Sequence, residues 1–238
     1  MYFDQHASDI RCEWGLPGLE ALLPASDVVV IVDVLSFSTS VDIAVSRGAV
    51  VFPFRHHGVT AEVFAQERHA LLASTNRTIG LSLSPASLQA VPAGMRLVLP
   101  SPNGSTLSLA TGTVPTYAGC CRNAAAVARA AAMHGPRVTV IAAGERWPGG
   151  GLRFALEDWL GAGAIIHGLP GKRSVEAAAA EAAYVRVKDD IANVLAGCGS
   201  GRELIERGHP ADVDLAAALN ASQSAPRLRD GAYTDRTR

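Results

Sequence analysis

The chain has 238 residues, 48% of them apolar and 18% charged, with a formal net charge of -1. That balance describes a folded chain with a sizeable core, expected as one domain over 1–238 with a mainly helical C-terminal third at about 153–222. The charge is near neutral and no Lys/Arg cluster interleaves with aromatics, which excludes nucleic acid as a partner; no apolar run reaches membrane-spanning length, which excludes a spanning helix.

The N-terminal Met1-Tyr2-Phe3-Asp4-Gln5-His6 lacks the pattern of a signal peptide. Cys12, Cys120, Cys121 and Cys198 have no zinc-ligand spacing, and a vicinal pair makes a poor disulfide. Reduced thiols in a cytoplasmic protein are the expectation. A short apolar helix is predicted around 19–23. Val28-Val29-Val30-Ile31-Val32 is too apolar for a strand with one wet face, so it predicts a central strand covered on both sides. A helix follows over 40–46, stopping at Gly48. Next come a strand over 49–54 and a polar-faced helix over 59–73. His56-His57 falls in the loop between them, and a surface turn is the reading favoured there. Short strands are predicted at 96–99 and 114–117, with a helix at 106–110 between them. Asn123 caps an alanine-rich helix that Gly135-Pro136 ends. A strand at 138–142 leads to helices at 154–167, 174–195, 201–207 and 213–220. The last residues, with Arg227, Arg229, Asp230, Asp235, Arg236 and Arg238, predict a frayed tail. Strands alternating with helices at these spacings predict a layered α/β/α fold with a mostly parallel or mixed central sheet.

Polar clusters close four of the strands: Asp33 to Ser40, Ser101 to Thr106, Gly119 to Asn123, and Gly144 to Arg146. In open α/β sheets ligands bind beyond the carboxyl ends of strands, so these clusters predict one shared site. Asp33 either holds a cation or proton there or merely caps the turn, and Ser38 and Thr39 either meet an anion or cap the helix. Ser101-Pro102-Asn103-Gly104-Ser105 is a rigid turn before a helix, able to cradle an anion or to act only as a turn. No Lys follows Gly104, so it is not a Walker loop. Arg122 stands at a helix start, where its fork suits phosphate or sulfonate, or else water. Arg202, beside Ser200 at another helix start, offers a similar contact. No Ser lies in a G-x-S-x-G elbow, which argues against a serine hydrolase.

Glu157-Asp158 lies in a segment that is apolar nearly all round, so both carboxylates are expected to be buried. Burial is expensive unless a cation meets them; the alternative is pairing with Arg146 and Arg153. Asp33, Glu145, Glu157 and Asp158 are hard oxygen donors with no histidine in their motifs, a set suited to magnesium over zinc or copper.

Together these motifs resemble the 2-phosphosulfolactate phosphatase (ComB-like) family. The matching pieces are Val32-Asp33-Val34-Leu35 with Ser38-Thr39, Ser101-Pro102-Asn103-Gly104-Ser105, and Cys120-Cys121-Arg122-Asn123-Ala124. Ala143-Gly144-Glu145-Arg146, Glu157-Asp158 with Gly161-Ala162-Gly163-Ala164, and Ser200-Gly201-Arg202-Glu203-Leu204 complete the set. The resemblance implies a magnesium-dependent hydrolase converting 2-phospho-3-sulfolactate to 3-sulfolactate and phosphate, a step that in some organisms leads to coenzyme M. Under it, Asp33, Glu145, Arg122 and Asn103 are the expected catalytic residues. Ser38, Thr39, Ser101, Gly104, Ser105, Asn123, Arg146 and Arg202 are expected to bind substrate, and Asp33, Glu145, Glu157 and Asp158 to hold Mg2+. Three positions depart from the family pattern: Ser36 replaces its usual Arg, Cys121 its Leu and Ser105 its Thr. The competing readings are a phosphatase for another small acidic phosphate and a non-catalytic anion-binding protein. A homodimer is the expected assembly on base rates.

Overall fold

A computed structural model describes residues 3–55 and 59–235; His56-His57, Arg236 and Arg238 lie outside the described residues. Its strands are β1 (Ile10–Trp14), β2 (Val28–Val32), β3 (Val50–Phe54), β4 (Leu71–Leu72), β5 (Arg96–Pro100), β6 (Thr116–Gly119), β7 (Val138–Ala142), β8 (Glu145–Arg146), β9 (Leu152–Arg153), β10 (Arg227–Arg229) and β11 (Ala232–Thr234). The helices are α1 (Gly15–Leu22), α2 (Phe37–Ser46), α3 (Val59–Glu67), α4 (Gly104–Ser108), α5 (Ala124–Ala132), α6 (Leu156–His167), α7 (Val175–Val187), α8 (Ile191–Gly197), α9 (Gly199–Glu206) and α10 (Pro210–Ala217).

Every residue of β2 is buried, as its β-branched run requires. Val28, Val30 and Val32 pack with Val127 of α5 and with Leu160 and Ile165 of α6. Val29 and Ile31 face the opposite way, onto Leu19 and Leu22 of α1 and Leu107 of α4. Full burial of each such side chain is worth at most about 1.5–3 kcal/mol, so this strand anchors both layers.

The main sheet has nine strands in the order β1-β7-β2-β6-β10-β11-β3-β5-β4. Strands β1, β7, β2 and β6 are mutually parallel, as are β3, β5 and β4. The antiparallel hairpin β10-β11 joins the two blocks, which therefore run in formally opposite directions along the ladder. Adjacent strands turn by roughly 20–25°, so the five steps from β2 to β5 undo much of that opposition. The carboxyl ends of β2 and β5 do meet: Gly104, just past β5, donates its N–H to Asp33, just past β2. The expected layered α/β fold with a mixed sheet is present.

Four local expectations are corrected. The C-terminal segment is not a frayed tail: its hairpin fills the middle of the sheet, and Tyr233 is fully buried. The helix expected over 174–195 breaks at a 3₁₀ turn, Lys188–Asp190, into α7 and α8. The helix expected over 59–73 stops at Glu67, and the chain returns as the edge strand β4. An edge strand, β1, precedes the first predicted element.

Candidate active site

Asp33 directly follows β2, in the turn that starts α2. Its Oδ1 accepts from Phe37 N at 3.2 Å and its Oδ2 from Gly104 N at 2.8 Å. Ser38 Oγ accepts from Asp33 N and donates to Ile31 O, while Thr39 Oγ1 donates to Val34 O at 2.7 Å. Both hydroxyls therefore shape the turn, and neither caps the helix. Asp33 is held by the turn rather than spent on it, because each carboxylate oxygen keeps a further lone pair.

Two more carboxylates come from the first turn of α6. Asp158 Oδ1 accepts from Val34 N at 2.7 Å and Oδ2 from Gly144 N at 2.8 Å, tying the segments after β2 and β7 to one side chain. Glu157 Oε2 accepts from Cys198 Sγ at 3.3 Å. Both are buried, at 2% and 3% exposure. Glu145, in β8, accepts at Oε2 from Asn103 Nδ2 at 3.1 Å.

Among the described residues none of these four acids forms an ion pair, so Glu157 and Asp158 do not pair with Arg146 or Arg153. They act on one another instead. Burial, followed by the charges of Glu145 and Glu157, pushes Asp33 up to about 7. Burial, then Asp33 and Glu157, holds Asp158 well above the usual carboxylate range. Burial raises Glu145 as well. Negative charge gathered away from water without a counter-ion is costly, and a cation would relieve it.

Among the described residues, no three His, Cys, Asp or Glu side chains form a ready ligand set for a metal ion. Magnesium keeps several waters and takes one or two carboxylates, so it asks for no such set.

The expected anion-binding residues divide. Asn103 and Gly104 join the site through Glu145 and Asp33. Ser105 Oγ donates to Leu99 O, and Ser101 is buried with its N–H donating to Phe54 O, so both brace the loop. Arg122, expected to be catalytic, has these partners: Nε donates to buried Asp42 at 3.1 Å and Nη1 to Leu215 O at 3.2 Å. Asn123 is fully buried, accepting from Cys120 N and donating to Ala118 O. Arg202 is exposed on α9, and Arg146 is exposed beside a cleft of about 230 Å3 lined by Leu16, Pro102, Asn103, Glu145 and Leu152.

Residues unassigned from sequence also come to the site's neighbourhood. Arg153 donates to Ser200 Oγ at 3.0 Å. Ser36 Oγ accepts from Arg77 Nη2 at 3.2 Å, and Arg77 pairs with buried Asp212, so a guanidinium from a distant loop reaches the turn after β2.

A family model described as 2-phosphosulpholactate phosphatase matches residues 19–231. A probable 2-phosphosulfolactate phosphatase from Thermosynechococcus vestitus is 26% identical over 219 residues, covering 84% of this chain and 88% of the relative. One of the same description from Gloeobacter violaceus is 34% identical over 89 residues, 37% of this chain and 36% of its own.

Proposed function

Because the chain belongs to the 2-phosphosulpholactate phosphatase family, we propose that it hydrolyses 2-phospho-3-sulfolactate to 3-sulfolactate and phosphate with the help of magnesium. The observation that carries this reading is the set of four carboxylates, Asp33, Glu145, Glu157 and Asp158, gathered where β2, β7 and α6 meet, none of them in an ion pair among the described residues. Those four would hold the ion, directly or through water. Bound there, magnesium supplies charge that polarises the phosphoryl group and offsets the leaving alkoxide.

The chain's own groups do the positioning. The amides of Phe37 and Gly104 fix the Asp33 carboxylate, and Asn103 fixes Glu145. A carboxylate fixed beside the attacked phosphorus can take a proton from the attacking water. The P–O bond to the substrate then breaks, and the departing alkoxide is protonated from solvent. Attack by Asp33 itself would leave a phosphoaspartate for water to cleave. Borohydride trapping during turnover separates the two: reduction of an acyl phosphate at residue 33 supports attack by Asp33, and an unmodified Asp33 supports direct attack by water.

The reading itself is tested by phosphate release from 2-phospho-3-sulfolactate, phosphoglycolate and phospholactate, with magnesium and with chelator. Magnesium-dependent release, fastest on phosphosulfolactate, is expected. No turnover of any of them would leave an anion-binding protein. Preference for a different ester would keep the chemistry and replace the substrate.

A further inference from the structure

We propose that Arg153, steadied by Ser200, is the side chain that grips the substrate's phosphate; this rests on the phosphatase reading of the same site. In the β8-β9 ladder Glu145 stands directly opposite Arg153, and Arg146 opposite Leu152. Opposed residues in a ladder share a face, and successive residues alternate. Arg153 therefore lies on the face that carries Glu145, and its positive charge acts on that carboxylate. Arg146 and Leu152 take the other face, where both are exposed.

Arg153 is half-buried, and among the described residues its one side-chain hydrogen bond runs from Nη2 to Ser200 Oγ at 3.0 Å. Nη1 passes the first residue of α9, 3.5 Å from where a Cβ on Gly199 would stand. Among the described residues Arg153 forms no ion pair. A guanidinium carries five N–H donors in a rigid fork, so most of them stay free for two oxygens of one phosphate. Ser200 fixes the fork from the side, which lowers the entropy lost on binding. Three other arginines are less suited: Arg122 is neutralised by Asp42, and Arg146 and Arg202 are exposed. A purely structural Arg153 would merely offset the charge of Glu145, and its loss would then disturb magnesium instead of phosphate.

Titration calorimetry with inorganic phosphate, in magnesium, separates these roles in the wild type, Arg153→Gln, Arg153→Lys and Ser200→Ala. We expect about tenfold weaker phosphate binding in Arg153→Gln and a smaller loss in the other two, because Lys lacks the fork and Ala removes only its support. Affinity for magnesium alone should stay within about twofold, less than any charge-assisted contact is worth. Should Arg153→Gln fail to fold, the Lys and Ser200 variants carry the test. Unchanged phosphate affinity, an equal loss of magnesium affinity, or a loss seen only with 3-sulfolactate as ligand would each overturn the assignment. Wild-type protein that binds phosphate through Arg153 but releases none from any ester sinks the phosphatase reading alone. Turnover with normal phosphate binding in Arg153→Gln sinks this assignment alone.

Discussion

The backbone N–H of Gly104 donates to Asp33 Oδ2 across 2.8 Å, joining loops that follow β5 and β2, 71 residues apart in sequence. A side chain on residue 104 would press its Cβ into the Phe37 ring and to 2.8 Å from that same Asp33 oxygen. The Pro-Asn-Gly sequence thus serves close approach more than turn geometry.

Gly104→Ala should therefore cost about 1–3 kcal/mol through overpacking and move the Asp33 carboxylate. Denaturant unfolding reads the first effect and steady-state turnover the second. A variant with full stability and full activity would show that the loop has room to yield.

Glu157 and Asp158 adjoin in sequence but play different parts. Both Asp158 oxygens accept backbone N–H groups, so Asp158→Asn sets an amide donor against one of them and should cost about 1–3 kcal/mol. Among the described residues Glu157 accepts only a thiol, and Glu157→Gln removes a buried charge, leaving metal-free stability equal or higher. Turnover in Glu157→Gln should nevertheless fall by about a hundredfold, the scale of losing one charge-stabilising group. Melting curves with added magnesium check the link: the wild type should gain stability and Glu157→Gln should not.

Arg122→Ala tests whether this arginine serves its ion pair with Asp42 or the substrate. Asp42 is fully buried and Arg122 is 14% exposed at its side chain, so removing the arginine strands a carboxylate. About 3–5 kcal/mol of stability should be lost, with the KM of the surviving folded protein unchanged. Arg122→Ala combined with Asp42→Ala should recover part of that loss. A raised KM at unchanged stability would return Arg122 to the substrate site.

Much of this site was legible because charge in apolar surroundings is conspicuous. Asp33 at the end of a five-residue apolar run and Glu157-Asp158 inside an apolar helix both stood out, and they do face one another. Arg153 did not, because its strand is two residues long and follows glycines; only its pairing with Glu145 gives it a direction. Arg122 looked free because its partner, Asp42, lies 80 residues away on a helix whose burial on every side the sequence did not reveal. The C-terminal hairpin was hidden by polar flanks, although Asp230-Gly231, with φ of +50° and +78°, is a hairpin turn signal.

That hairpin bears on the site as well as on the sheet. Leu228 and Arg227 pair with β6 and Tyr233 with β3, so its strands close a gap that would leave two edges open. Tyr233 packs against Phe37 with ring centroids 6.1 Å apart, and its hydroxyl meets Ser108 Oγ at 2.7 Å. Ser108 in turn donates to Gly104 O, and Gly104 holds Asp33, so the hairpin reaches the carboxylates through three hydrogen bonds. Tyr233→Phe should cost about 1 kcal/mol, since Ser108 keeps its bond to Gly104. Tyr233→Ala should cost about 3–5 kcal/mol, the range for emptying an aromatic site in a core. A chain ending at Pro226 should lose its cooperative melt, because no other segment can satisfy both exposed edges. Circular dichroism melts of the three variants give the order, and a cooperative transition at the wild-type midpoint in the shortened chain would mean that the two sheet blocks hold together without the hairpin.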